Sequence, residues 1–538
     1  MSQSGRNVIG KAVLVAASVV WSARLPVAVA EEPALQAPDS ADRPDDDVAR
    51  LADAIDAHVE AAWRENEVAP APLADDAEFL RRASLDLGGR IPSAWEVREF
   101  LADDDPHKRR LVVDRLLENP LFYSQLAVKL RMRLLPQAGA DLQLQFQFPQ
   151  FEVWLRHKLV ADIGYDELVR DLLAIPFKEN ERDIAAIFYS ARQGKPEDLA
   201  AATSRLFLGV RLECAQCHDH PFAHWKQDDF WRQAAFFAGM EGDMFGRLTE
   251  SPETHTIQIP DSDRVVEAAF LNGETPELIG RNPREVFADW LADGANPYFA
   301  RVAANRVWAE LFGVGIVDPE EDFDESNPPS HPELLDQLAS EFAAHEFDVS
   351  FLIRAITASR TYQLTSGQTD PSQLNPRLFA RHTARALSGD QLYDSLVQAM
   401  GAGNDRGFAN RNDDIDSPRN RFRELFESQA DRPAESQTTI LQALAMMNGQ
   451  TVQSATDVGQ NRTLAAVLEA DFFTDPERIE ALFLTTLSRF PQPEELERMT
   501  AYIAERSGGH PEDTAARVAA FGDVFWALIN SSEFVVNH

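Results

Sequence analysis

Cysteine is nearly absent from this chain, with two in 538 residues. So few thiols cannot build a disulfide-dense scaffold, and the fold must rest on a hydrophobic core. Positive charge is also scarce: 51 Lys and Arg stand against 87 Asp and Glu, a formal net charge of −36. Such a surface repels phosphate backbones, which excludes nucleic-acid binding through a broad basic face. Attraction to anionic lipid is disfavoured for the same reason. After the first thirty residues no segment is apolar enough for a membrane-spanning helix, which needs about 20 such residues. No fixed-period repeat, Walker-type phosphate loop, dinucleotide fingerprint or His-Glu-x-x-His is present. What is there is 44% hydrophobic and 26% charged, a globular composition that excludes a wholly disordered chain.

The first residues carry the pattern of a cleaved secretory signal over 1–30. Arg6 and Lys11 form a basic start, Ala12 to Ala23 an apolar run, and Ala28-Val29-Ala30 supplies small residues before Glu31. The run is too short to cross a bilayer as a helix. An uncleaved anchor or a buried helix are the alternatives. The expected product is periplasmic or secreted, with no transmembrane anchor after signal cleavage. Residues 31–49, with Pro33, Pro38, Pro44 and Asp45-Asp46-Asp47, read as a flexible acidic leader.

Beyond the leader, helix signals recur. Asp75-Asp76 precede the stripe Phe79, Leu80, Ala83, Leu87, which stops at Gly88-Gly89. Ser93 and Glu96 have capping-box spacing, and Asp105-Pro106 reads as a cap with proline in the first turn. Further helices are expected from Pro120, over Phe151 to Leu159, over Tyr165 to Leu173, and after Asp228 as a cap. Thr254 to Asn272 differs, reading as two short strands around a polar turn. Helices then resume over Pro283 to Leu291, Phe299 to Phe312, Pro332 to Ala344 and Ser350 to Ala358. Asp475-Pro476 caps another, which carries Ile479, Leu482 and Phe483, and Phe521, Phe525 and Leu528 mark the last. Gly401 to Ser417 reads as a long polar loop. The fold class is mainly α: two packed helical domains, 50–255 and 280–538, with a small β element between them.

Both cysteines fall in Cys214-Ala215-Gln216-Cys217-His218. This is the spacing of c-type haem attachment. Two thiols three positions apart on a helical turn can form thioethers to the two vinyl groups of haem, and the next residue offers its imidazole to the iron. Trp225, Phe222, Phe230, Trp231, Phe236 and Phe237 could wall an apolar macrocycle. A second axial ligand could come from Met240, Met244, His220, His224 or His255, or the position could stay open. Two other readings use the same thiols. His220 and His224 could complete a zinc clip with Cys214 and Cys217, or the cysteines could pair as a structural or redox disulfide, with no bound cofactor.

Longer motifs surround this turn. Leu206-Phe207-Leu208-Gly209-Val210, Cys-Ala-Gln-Cys-His-Asp-His-Pro-Phe, Trp225 and Asp229-Phe230 resemble a planctomycete cytochrome-C-like domain family of unknown function. Phe79-Leu80-Arg81-Arg82, Ser84-Leu85-Asp86-Leu87 and Arg90-Ile91-Pro92 look like its opening. Asn296 to Arg301, Asn305-Arg306-Val307-Trp308, Asp318-Pro319, Asp322-Phe323 and Ser326 to Pro332 resemble a planctomycete secreted domain of unknown function. Ser359 to Gln363 and Asn530 to Phe534 are similar to it as well. The resemblance implies export but transfers no activity. A separate small cytochrome module ahead of the pair, as longer relatives carry, is not seen, which weighs against a multi-haem relay.

A second candidate site is the acidic stretch Asp318 to His331. Asp318, Glu320, Glu321, Asp322, Asp324 and Glu325 could bind Ca²⁺, although EF-hand spacing is absent. They could equally form a carboxylate–arginine network with Arg301, Arg306 and Arg360, or a solvated helix-capping loop. Ser326 and His331 lack the nucleophile elbow of a hydrolase. Two functions therefore stand. One is an exported electron-transfer protein with a single haem c on Cys214, Cys217 and His218, serving an unknown redox partner, which need not be an enzyme. The other is a secreted binding or assembly protein for a cell-surface component, whose Cys-x-x-Cys-His turn is a disulfide staple or zinc clip.

Overall fold

Helix follows helix along most of the chain, as the 3.6-residue apolar stripes require. A computed structural model describes residues 44–135, 142–177, 183–221, 223–242, 248–401, 418–426, 440–507 and 514–538. The signal and the loop expected over Gly401 to Ser417 lie outside these, apart from Gly401 itself. Four helices match the predicted bounds: Tyr165–Leu173, Pro283–Leu291, Phe299–Phe312 and Pro332–Ala344. The Ser93–Glu96 capping box closes as expected, and Asn119 caps the helix that Pro120 begins. The fold is mainly α. Among the described residues the only β structure is three two-stranded antiparallel ladders and one isolated bridge.

Several caps differ from expectation. The helix after Asp105 begins at Lys108 and its cap position is His107, while Asp105 Oδ1 instead accepts from the His107 N–H. Lys226, not Asp228, stands before the helix Gln227–Ala234, and Asp228 pairs with Arg264. Thr474 caps the helix Asp475–Thr486, with Glu477 completing a capping box. The first helix, Pro44–Glu65, takes in the end of the segment expected to be a flexible leader. Its Asp47 engages Arg50 and His345, which gives that acidic run a partner the sequence pattern does not reveal.

The expected strand pair forms as Thr256–Gln258 against Val265–Glu267. A second antiparallel pair, Met240–Gly242 with Leu248–Glu250, has no counterpart among the expected elements. The third ladder joins Arg385–Ala386 to Val536–Asn537 near the C-terminus.

Residues Pro44–His538 form one compact unit. Apolar side chains inside it gather into two cores. The larger runs from Leu51 through Ile259 and Ala268 to Ala380 and adds Leu484. The smaller joins Leu85 and Ile91 to residues between Leu387 and Phe534. The bulged helical turn Ser84–Gly88 contributes Leu87 to the first core and Leu85 to the second. Just before it, two fully buried arginines fasten the chain's end. Arg81 donates to the carbonyls of Thr486, Glu533 and Phe534, and Arg82 to those of Tyr362 and His538. The opening and closing motifs of the chain thus meet in space. Among the described residues no helix is long and apolar enough to cross a membrane.

Candidate functional site

The Cys-x-x-Cys-His turn is slung between two helices that pack on each other, Pro196–Thr203 and Gln227–Ala234. The first passes into the bulged turn Ser204–Leu208 and stops at Gly209, whose φ is +68. A Cβ at Gly209 would lie 2.6 Å from the Phe323 ring and 2.7 Å from Val302, so the close approach of these elements requires glycine. A single 3₁₀ turn, Glu213–Ala215, follows. Ala215 is fully buried and anchors it, leaving Cys214, Cys217 and His218 exposed.

Hydrogen bonds then fasten the backbone of the turn. Trp231 Nε1 donates to the Gln216 carbonyl at 3.0 Å, and Gln227 Nε2 donates to the Cys217 carbonyl at 3.0 Å. The Gln227 N–H donates to Asp219 Oδ1, and the His220 N–H to the Trp225 carbonyl. The side chains that could do chemistry stay outside this lacing. The two thiols are not bonded to each other.

The two neighbouring histidines are held in opposite tautomers. His218 Nδ1 lies 2.7 Å from the Asp219 carbonyl, which can only accept, so in the neutral ring Nδ1 carries the proton and Nε2 keeps its lone pair. His220 Nδ1 accepts the Ala223 N–H at 2.8 Å, so in the neutral ring Nε2 carries the proton. His218 is therefore arranged as an Nε2 ligand, whereas His220 would have to exchange tautomer and give up a hydrogen bond. His224 is turned to Trp225 and Glu325. Among the described residues no three His, Cys, Asp or Glu side chains are gathered in an arrangement that would hold a metal ion.

The aromatics expected to wall a macrocycle pack inward instead. Trp225, Phe230, Trp231, Phe236 and Phe237 are all buried in the larger core. Phe236 stacks on Phe270, and Phe237 meets Phe287 edge-on. Phe222 and Met244 lie outside the described residues. Met240 is buried in the same core, and His255 Nδ1 bonds to the Glu253 carbonyl. The donor set of the turn thus fits a covalently held haem, while the predicted apolar wall is spent on the fold.

The acidic stretch lies beside this turn. The Phe323 N–H donates to the Gly209 carbonyl, and Glu325 approaches His224 to 3.7 Å. Asp324 is held below the ordinary carboxylate range first by the hydroxyl and N–H of Ser326, then by His220 and His224. Glu320 binds Arg133 at 2.6 Å, and Glu321 lies 3.3 Å from Arg205 and 3.6 Å from Arg306. A carboxylate–arginine network exists, with one of the three expected arginines in it. Arg306 belongs to it, but Arg301 pairs with Asp336 and Arg360 with Glu60. Arg133 and Arg205 come from distant helices and carried no sequence signal. Ser326 bonds to Asp324, and the buried His331 to Ser330, so these two do not form a catalytic pair.

Family comparison matches two successive segments of the chain. Residues 54–242 match PSCyt2, a protein of unknown function (DUF1549), and residues 283–412 and 420–503 match PSD1, a protein of unknown function (DUF1553). The turn belongs to the first match and the acidic stretch to the second. No curated protein and no solved structure matches the chain.

Proposed function

For a chain that carries a PSCyt2 domain followed by a PSD1 domain, we propose the role of an exported electron-transfer protein, with Cys214 and Cys217 as the attachment thiols for one c-type haem and His218 as its iron ligand. The observation that carries this reading is the 2.7 Å contact of His218 Nδ1 with the Asp219 carbonyl, which leaves Nε2 available. When bound, the group would supply one-electron exchange, and no bond-making residue is then needed. The chain's own part is positional. Ala215 anchors the turn, Trp231 and Gln227 fix its carbonyls, and Asp219 orients the imidazole through its own carbonyl. Exposure of both thiols suits attachment after export.

The test is the full chain made with and without haem-attachment machinery in an oxidising compartment. The expected product keeps a Soret band after acid–acetone extraction, and Cys214→Ala or Cys217→Ala each removes one thioether. Colourless protein from the equipped host overturns the reading. The inward packing of the aromatics favours a second one: a secreted binding or assembly protein whose turn is a clip. There the two thiols lose two protons and two electrons to an external oxidant and close a Cys214–Cys217 disulfide. A zinc clip would instead copurify with metal that His224→Ala releases.

A further inference from the structure

Away from the turn, a cavity of ≈ 100 Å³ lies between the helices Pro120–Leu134 and Phe299–Phe312. Helical spacing builds it. Phe122, Leu126 and Leu130 form one stripe, and Ala303 and Val307 face it from the other helix. At about 10–15 Å³ per water-sized probe, the space suits several waters or one small organic molecule. Its wall draws on residues of both matched segments, including Asp86 and Arg306 from the motifs quoted above.

The polar groups of this wall are unevenly satisfied. Its anionic acceptors are taken. Glu310 accepts from Lys129 at 2.9 Å and Arg133 at 3.1 Å; burial pushes its carboxyl up, but the two cations outweigh it and hold it at about 2. Asp86 accepts from the Tyr362 hydroxyl at 2.7 Å, from Asn537 Nδ2 at 2.6 Å and from Arg385. The spare capacity lies with donors. Among the described residues, two side-chain polar atoms of residues that line the cavity are buried without a partner, Gln125 Nε2 and Arg306 Nε. Gln125 is 5% exposed and Arg306 7%, so bulk solvent does not serve them. The nearest carboxylate to Arg306, Glu321 at 3.6 Å, is shared with Arg205. Buried donors left unpaired are costly. A ligand acceptor within reach would satisfy these donors, while an ammonium group would meet only occupied carboxylates.

We propose that this cavity binds a small monocarboxylate, its apolar tail against Leu126, Leu130 and Val307 and its carboxylate accepting from Gln125 Nε2 and Arg306 Nε. The site is independent of whether the turn at Cys214 holds haem. Calorimetric titration of the full chain with hexanoate and hexylammonium tests it. Hexanoate should bind, and hexylammonium at least about tenfold more weakly, the loss of two hydrogen bonds to an ionised acceptor. Gln125→Leu, which removes the donor at similar size, should weaken hexanoate about fivefold or more, and Val307→Phe should fill the cavity and abolish binding. Failure of hexanoate to bind would mean that water alone satisfies the donors, and equal binding of the two probes would mean apolar filling only. Either result overturns the proposal. The comparison of the two probes on the unaltered chain remains decisive should a variant fail to fold.

Discussion

The turn at Cys214 and the buried hub around Asp86 solve opposite problems with the same materials. In the turn, hydrogen bonds go to the backbone, through Trp231, Gln227 and the His220 N–H, and the side chains with reactive atoms face solvent. In the hub the side chains themselves carry the bonds. Asp86 meets Tyr362, Arg385 and Asn537, while Arg81 and Arg82 spend their donors on carbonyls near the C-terminus. A site that must meet something outside the chain fixes its frame and leaves its functional groups free. A hub that only holds elements together turns its charged groups on the chain itself.

The largest expected effect lies in the hub. Asp86→Ala would strand the Arg385 guanidinium in the interior, where breaking one partner of a buried pair costs about 3–5 kcal/mol. Denaturant unfolding should show that loss. A change under 1 kcal/mol would mean that the hub is no more demanding than the exposed turn, and the contrast would fall.

The next effect comes from pH. Burial, with help from His58 and Arg377, lowers the His331 pKa to about 4. The unfolded chain therefore takes up a proton near pH 6.5 that the folded one refuses. The stability this gives is complete above pH 6.5 and is lost progressively as pH falls toward 4, amounting to about 3 kcal/mol at the acid limit. The difference in stability between the native chain and His331→Gln, measured at pH 7.5 and pH 4.5, should shrink on acidification. A difference independent of pH would place His331 in contact with water.

Legibility in the sequence follows the same contrast. Helices whose caps and stripes are local were readable to the residue, as at Pro283–Leu291 and Phe299–Phe312. The turn was legible because its donors are four residues apart or less. Its surroundings were not, since aromatic spacing says which residues are apolar but not which way they face: Phe236 looks the same whether it walls a cofactor or stacks on Phe270. The partners of Glu320 and Glu321 were hidden because Arg133 and Arg205 lie far away in sequence, and charge at a distance has no periodicity. The cavity was hidden for a related reason, since Gln125 shares its helix face with Lys129 and Arg133 as well as with Phe122, Leu126 and Leu130, and reads as an ordinary helix residue. Asp105 and Asp228 misled because a residue able to cap was assumed to do so, and both found other partners.

The smallest effect tests the frame of the turn itself. Trp231→Phe keeps an aromatic ring in the core but removes the N–H that holds the Gln216 carbonyl. Gln227 Nε2 reaches the same carbonyl at 3.3 Å, so the acceptor keeps a partner and the cost should be about 1–2 kcal/mol. The informative measurement is local. Amide exchange at His220, whose N–H bonds to the Trp225 carbonyl across the turn, should speed up by more than the global stability loss explains. The amides of the helix Asp76–Ala83, which carries Arg81 and Arg82, should slow or quicken only with global stability. If both regions change by the same factor, Trp231 supports the whole fold and the turn has no frame of its own. A selective change would show that the lacing around Cys214 and Cys217 is a separate local structure, positioned by the helices but opened independently of them.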